Sequence, residues 1–128
     1  MTDDAFDPTT TFLHLSPDGG ARRIPVTPTF WQELAAGKHP TDGRLVTASH
    51  VSEGVAHWEM HPKGDELLLV QTGAVEVILD EPEGPRAVVL TAGSAFVVPK
   101  GVWHRFKVHE PGLVVFVTAG EGTQHRPG

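Results

Sequence analysis

The chain has no cysteine among its 128 residues. That absence removes thiolate chemistry, disulfides and any cysteine-ligated zinc or iron–sulfur site, so a bound metal would have to be held by histidine and carboxylate. Long hydrophobic runs are missing too: apolar residues make up 39% of the chain, but none of their stretches approaches the ~18 residues that cross a bilayer as a helix. A transmembrane helix is excluded, and a membrane is not an expected partner. Basic charge is scarce, with ten Lys and Arg against sixteen Asp and Glu for a net charge of -6. Without a block of Lys or Arg there is no face to neutralise phosphates, which argues against nucleic acid as a partner. The first eleven residues, MTDDAFDPTTT, are acidic where a signal peptide would be basic and then apolar, so a cytoplasmic location is expected. Histidine, in contrast, is abundant, with eight copies. His14, His39 and His50 stand apart from any motif and are expected to serve surface or packing.

A length of 128 residues suits one domain that buries roughly two thirds of its unfolded surface without help from a disulfide or structural metal. Residues 1–11 are polar without a period and are expected to be disordered or loosely attached. Residues 12–44 form a first unit. Phe12 to Leu15, the turn Ser16-Pro17-Asp18-Gly19-Gly20 and Ala21 to Ile24 read as a hairpin, because Asp-Gly and Gly-Gly supply the positive φ of tight turns. Residues 27–37 have a capping Thr, a first-turn Pro, Phe30, Trp31 and Leu34 at helical spacing, and Gly37 as a stop. Such a short helix must be pinned by Phe30 and Trp31.

From residue 45 to 119 the pattern changes to short strands about ten residues apart, at 45–51, 55–61, 67–71, 74–80, 86–90, 94–98, 103–109 and 113–118. Gly or Pro stands at nearly every turn between them, the mark of an all-β sandwich or barrel. Leu68, Val70, Val77, Leu79, Phe96, Val98, Phe106, Val115 and Val117 are the expected core of this barrel. Residues 120–128 form a tail rich in functional groups, including His125 and Arg126. Two readings of it stay open: a flexible end, or a segment folded over the barrel mouth.

The stretch WEMHPKGDELLLVQTG, residues 58–73, carries the chemistry. Glu59, His61 and Glu66 put three potential metal ligands into eight residues. Glu59 and His61 are two apart in a strand and so share a face. Pro62, Lys63 and Gly64 then turn the chain just where Glu66 appears. About thirty residues on, GSAFVVPKGVWH delivers His104 after a second Gly/Pro turn, and these four side chains are expected to meet inside the barrel. A buried carboxylate beside two imidazoles wants a cation, since left uncompensated it costs several kcal/mol. Glu59 could be a ligand, an orienting group behind a ligating His, or a general base beside an open coordination position. His57 shares its face as a weaker candidate. Arg105 is read as a solvated charge or a carboxylate clamp.

These residues resemble the two motifs of the cupin superfamily, and the chain is similar to its small single-domain members. Against the first motif, G(X)5HXH(X)3-4E(X)6G, Glu59-Met60-His61 stands at the HXH position, four residues separate His61 from Glu66, and six separate Glu66 from Gly73. Against the second, G(X)5PXG(X)2H(X)3N, Gly93, Pro99, Gly101 and His104 fit every fixed spacing. Glu59 replaces the first His, the opening Gly is displaced, and Val108 replaces the final Asn.

The resemblance implies an all-β double-stranded β-helix, or jelly-roll, barrel, and a metal held by Glu59, His61, Glu66 and His104. The extra oxygen ligand tilts preference toward Fe(II), Mn(II) or Zn(II), with Ni(II) also used in the family, and away from soft Cu(I). It also implies a homodimer. Two functions follow: a metal-dependent enzyme of dioxygenase, isomerase, decarboxylase or lyase type on a small polar metabolite, with Glu59 as catalytic group; or a non-catalytic module that binds or senses a small ligand in the same pocket. Fold alone does not choose between them.

Overall fold

The computed structural model describes residues 4–128. Residues 1–3, the start of the segment expected to be loosely attached, lie outside the described residues. Among the described residues the strands are β1 (Thr11–Leu15), β2 (Ala21–Pro25), β3 (Arg44–Val51), β4 (Val55–Met60), β5 (Glu66–Val70), β6 (Ala74–Glu81), β7 (Gly84–Thr91), β8 (Ala95–Val98), β9 (His104–Glu110), β10 (Gly112–Thr118) and β11 (Gln124–Arg126), with one helix, α1 (Phe30–Ala35). They form two antiparallel sheets, one in the order β2-β1-β3-β10-β5-β8 and the other β11-β4-β9-β6-β7. From β3 onward the chain passes repeatedly between the sheets, which is the expected jelly-roll barrel.

Alternation explains which side chains fill the barrel. Leu68 and Val70 of β5, Val75, Val77 and Leu79 of β6, and Leu90, Val98 and Val114 form one buried cluster, the members of β5 and β6 spaced by two as a half-buried strand requires. In β10 the phase differs from expectation. Val114 is buried and Phe116 packs on the core, whereas Val115 and Val117 are only half-buried on the opposite face. Residues 113–117 are apolar on both faces, so alternation within them cannot choose a side. Thr118, whose hydroxyl reaches the Glu66 carboxylate, shows which phase won.

A second cluster joins Phe12, Ile24 and Phe30. The helix is shorter than the sequence predicts. Thr27 and Thr29 both turn their hydroxyls to the Glu33 carboxylate, at 3.1 and 2.6 Å, and neither caps a backbone N–H. Phe30 is the anchor, 1% exposed and edge-on to Phe12 at 5.0 Å, while Trp31 remains 57% exposed. The pinning expected of both aromatics therefore falls on Phe30.

Two turns need glycine. Gly73 has φ +82°, and a Cβ there would stand 2.5 Å from the Glu110 carbonyl oxygen. Gly101 has φ +80° in the turn leading to β9, a region closed to most side chains.

Phe30→Ala should destabilise the protein by roughly 3–5 kcal/mol, the range for emptying a fully buried aromatic site. Urea unfolding should show a lower midpoint; an unchanged midpoint would mean that the helix does not hold the N-terminal hairpin to the barrel.

Candidate functional site

The two motif turns are tied to each other by the backbone. Gly101 N–H donates to the His61 carbonyl at 3.0 Å, and Lys100 N–H donates to Asp65 Oδ1 at 2.8 Å. The turn after β4 and the turn before β9 are thereby docked side by side. His61 stands just beyond β4, Glu66 opens β5 in the facing sheet, and His104 opens β9. All three are buried, at 6%, 7% and 6% exposure. They lie at the inner end of a cavity of about 880 Å³ whose apolar wall includes Leu68, Val77, Phe106 and Phe116.

Hydrogen bonds fix how each group presents itself. Thr123 Oγ1 donates to the Gly120 carbonyl at 2.8 Å, so toward His61 Nδ1, also at 2.8 Å, it acts as acceptor. The His61 proton is thus on Nδ1 and its Nε2 carries a lone pair. That Nε2 is buried without a hydrogen-bond partner among the described residues; the carboxylate oxygen beside it, Glu66 Oε1, is 3.6 Å away, beyond hydrogen-bond range. His104 is arranged in the same sense. Its Nδ1 lies 3.0 Å from the Val102 carbonyl, which can only accept, and its Nε2 lies 3.1 Å from Glu66 Oε1. On the remaining carboxylate oxygen, Oε2, Glu66 accepts the Thr118 hydroxyl at 2.6 Å. When His104 is neutral, its Nε2 lone pair faces a carboxylate oxygen. That is repulsive unless a proton or a metal cation stands between them.

The same contacts govern charge. Burial works against ionisation of Glu66, but its contacts with the His104 and His61 imidazoles and the Thr118 hydroxyl outweigh it and hold the carboxyl down at about 2. Burial likewise works against a charged His104, and its contacts with Glu66 and the Val102 carbonyl outweigh it and raise the imidazole pKa.

Glu59 stands in the cross-strand position opposite His104 on β9 and opposite His125 on β11, so these three side chains form a row across adjacent strands. One ligand atom from each of Glu59, His61 and His104 falls within a 4.8 Å group, a set that could hold a metal ion. Of the expected site residues, Glu59, His61 and His104 are thereby grouped, and Glu66 joins the two imidazoles through the contacts above. His57 is not part of that inner set. It lies at the mouth, 3.5 Å from Glu59 Oε1, with His125 Nδ1 3.6 Å from the same oxygen. Arg105 reaches the Ala56 carbonyl and stacks on Trp58, and does not clamp a site carboxylate. Sequence reasoning passed over Thr118 and Thr123, which orient Glu66 and His61. Only the polar end of an apolar run points to Thr118, and nothing in the tail singles out Thr123.

With chelator present, acid should destabilise the protein as its pH falls from the ordinary carboxyl value of 4.5 toward about 2. A depressed carboxyl stabilises the fold above its unfolded pKa, and protonation removes roughly 3 kcal/mol. The part due to His104 has the opposite sign, being present below about 6.5 and lost as the pH rises through the raised pKa. Unfolding free energies measured against pH should fall on the acid side for the wild type and stay flatter for Glu66→Gln; equal slopes would contradict this charge assignment.

Comparison with known proteins agrees with the geometry. The Cupin_2 family, described as Cupin domain, matches residues 49–120. None of the curated proteins matches the sequence. Among solved structures, a cupin-2 domain protein from Shewanella frigidimarina is similar with a TM-score of 0.51 and 23% identity, over 58% of this chain and 68% of that one. A mutant of Bacillus subtilis oxalate decarboxylase is similar with a TM-score of 0.51 and 14% identity, over 66% of this chain and 23% of that one. At these identities the likeness is one of fold, and this chain corresponds to less than a quarter of the decarboxylase. The family match spans more than half of the chain, and the two-sheet barrel with its buried His and Glu cluster is the fold it predicts: this protein belongs to the cupin family.

Proposed function

We propose that His61, Glu66 and His104 hold a divalent transition metal at the base of the cavity, with Glu59 as a fourth donor, and that the protein is a metal-dependent enzyme acting on a small polar metabolite. The observation that carries this reading is the buried, unpartnered Nε2 of His61, aimed at the same space as His104 Nε2 and Glu66 Oε1. Burying a polar atom without a partner costs about 1–3 kcal/mol, and a cation removes that cost while separating the His104 lone pair from the carboxylate. The 3.6 Å between His61 Nε2 and Glu66 Oε1 is close to the edge, ~3.4 Å, of a tetrahedron built on ~2.1 Å metal–ligand bonds. Two neutral imidazoles and one or two carboxylates favour Fe(II), Mn(II) or Zn(II).

When bound, such an ion polarises a substrate oxygen or lowers the pKa of a bound water. The chain's own groups do the rest. Thr123 and Val102 hold both imidazoles in the tautomer that presents Nε2, and Thr118 occupies Oε2 of Glu66 so that Oε1 faces inward. Leu68, Val77, Phe106 and Phe116 keep the inner cavity dry. Glu59, more exposed than the two imidazoles, takes a proton from a substrate in this reading when the other three donors hold the ion. The substrate class begins with small organic acids, since the oxalate decarboxylase of similar fold is named for one. The exposed Trp31, Val89 and Val97 offer apolar surface to a second copy, in keeping with a homodimer, and we take the location to be cytoplasmic. A non-catalytic ligand-binding module is favoured by one observation: Glu59, at the first-histidine position, also lies against His57 and His125, leaving three buried donors instead of four.

Purified protein should carry transition metal by plasma mass spectrometry, and His61→Ala or His104→Ala should weaken metal affinity at the deep centre at least tenfold with the circular dichroism unchanged. Metal-free protein from metal-supplemented cells would refute the assignment. Thr123→Val should weaken metal affinity about 10- to 100-fold through the lost tautomer control. Turnover of a panel of small carboxylic acids by the loaded protein supports the enzyme; saturable binding without turnover supports the sensing module.

A further inference from the structure

The mouth of the cavity holds a second group of donors that the deep cluster leaves unused. His57, Glu59 and His125 each bring one ligand atom within 4.8 Å of the others. We propose that they form a second divalent-metal site at the rim, with the Glu59 carboxylate standing between it and the deep imidazoles. It goes beyond the deep centre and uses different residues, sharing only Glu59 with it.

Strand geometry builds this group. His57 and Glu59 are two apart on β4, and His125 lies directly across from Glu59 in the β4–β11 pair. Directly opposed residues in an antiparallel pair have Cβ atoms ~5 Å apart on one face of the sheet. On the other side of β4, His104 is opposite the same Glu59. Glu59 is thus the middle member of a row that runs from His125 at the rim to His104 in the interior. A carboxylate has two oxygens, and one can serve each side.

The distances favour a cation over hydrogen bonding. His57 Nε2 and His125 Nδ1 lie 3.5 and 3.6 Å from Glu59 Oε1, longer than the 2.7–3.2 Å of an N–H···O bond. They are close to the ~3.4 Å ligand spacing of a tetrahedral ion with ~2.1 Å bonds. The two imidazoles are tilted toward each other with centroids 5.2 Å apart. Two imidazoles and one carboxylate suit Zn(II), Ni(II) or Cu(II).

The tail that supplies His125 is held in place independently. Arg126 pairs with Asp80, and its guanidinium lies 4.5 Å from the Trp103 ring centroid and 5.6 Å from that of Trp58. His125 is accordingly set beside Glu59 before any ion arrives, which limits the ordering cost of binding. Half-exposed His57 and His125 make the rim site the more open of the two, so its ion should exchange faster than the deep one.

Equilibrium dialysis of the chelator-stripped full chain against Zn²⁺ tests the proposal. Wild type should take up two equivalents, the double variant His57→Ala/His125→Ala one, and His61→Ala/His104→Ala one. Loss of the rim equivalent should leave the circular dichroism unchanged, because both rim histidines are exposed. Co²⁺ substitution adds a second readout: visible absorption bands should fall by about half in each double variant. Two equivalents retained by the rim variant would overturn the proposal. A single wild-type equivalent abolished by the deep variant alone would overturn the rim site and leave the deep centre standing. A single equivalent abolished by the rim variant alone would do the reverse.

Discussion

Two hydrogen bonds, from Gly101 N–H to the His61 carbonyl and from Lys100 N–H to the Asp65 side-chain carboxylate, join parts of the chain that are otherwise 35 to 40 residues apart. They dock the turn that follows β4 onto the turn that precedes β9. Each turn then places its histidine with little freedom, because Gly101 holds a positive φ and Pro62 and Pro99 restrict their neighbours. The cluster of His61, Glu66 and His104 exists because these turns meet. Loosen that contact and the imidazoles lose their common target, whatever the strands do.

Around this contact the barrel supplies an apolar wall and the tail adds a strand at the mouth. Leu68 of β5 and Val77 of β6 line the cavity beside the buried imidazoles, and a less polar wall strengthens the electrostatic interactions next to it. A carboxyl whose burial works against ionisation is nonetheless held down at about 2, because its contacts with His104, His61 and Thr118 act where solvent screens them little. At the other end of the cavity, β11 adds a strand to β4 and carries His125 to the rim. Two sets of donors, one buried and one open, are linked through Glu59. The replacement of the first motif histidine by glutamate therefore has a structural meaning, since a carboxylate can serve both sets where an imidazole presents a single coordinating nitrogen to either.

Much of this was legible in the residues. Strand spacing and Gly/Pro turns announced an all-β barrel, and the spacing of His61, Glu66 and His104 within two motifs announced that they meet. Where one face of a strand is apolar and the other polar, as in β6, the inward set was readable. In β10, apolar on both faces, it was not, and Val115 and Val117 were assigned inward where Val114 and Phe116 are. The helix begins later than expected because Thr27, before Pro28, looks like a cap, yet its hydroxyl finds Glu33.

The local sequence was enough for the periodicity, the turns and the motif positions that carry potential ligands, because these depend on backbone preferences and on spacings of a few positions. Only the folded chain decided which nitrogen of each histidine faces the cavity, that Thr118 and Thr123 orient their partners, and that His57 and His125 gather at the rim. Apart from the His104 ring, held by the nearby Val102 carbonyl, those outcomes rest on contacts between residues 52 to 68 positions apart: Glu66 with Thr118, His61 with Thr123 and His57 with His125. Such contacts are made by strand pairing and sheet closure, and no local propensity encodes them.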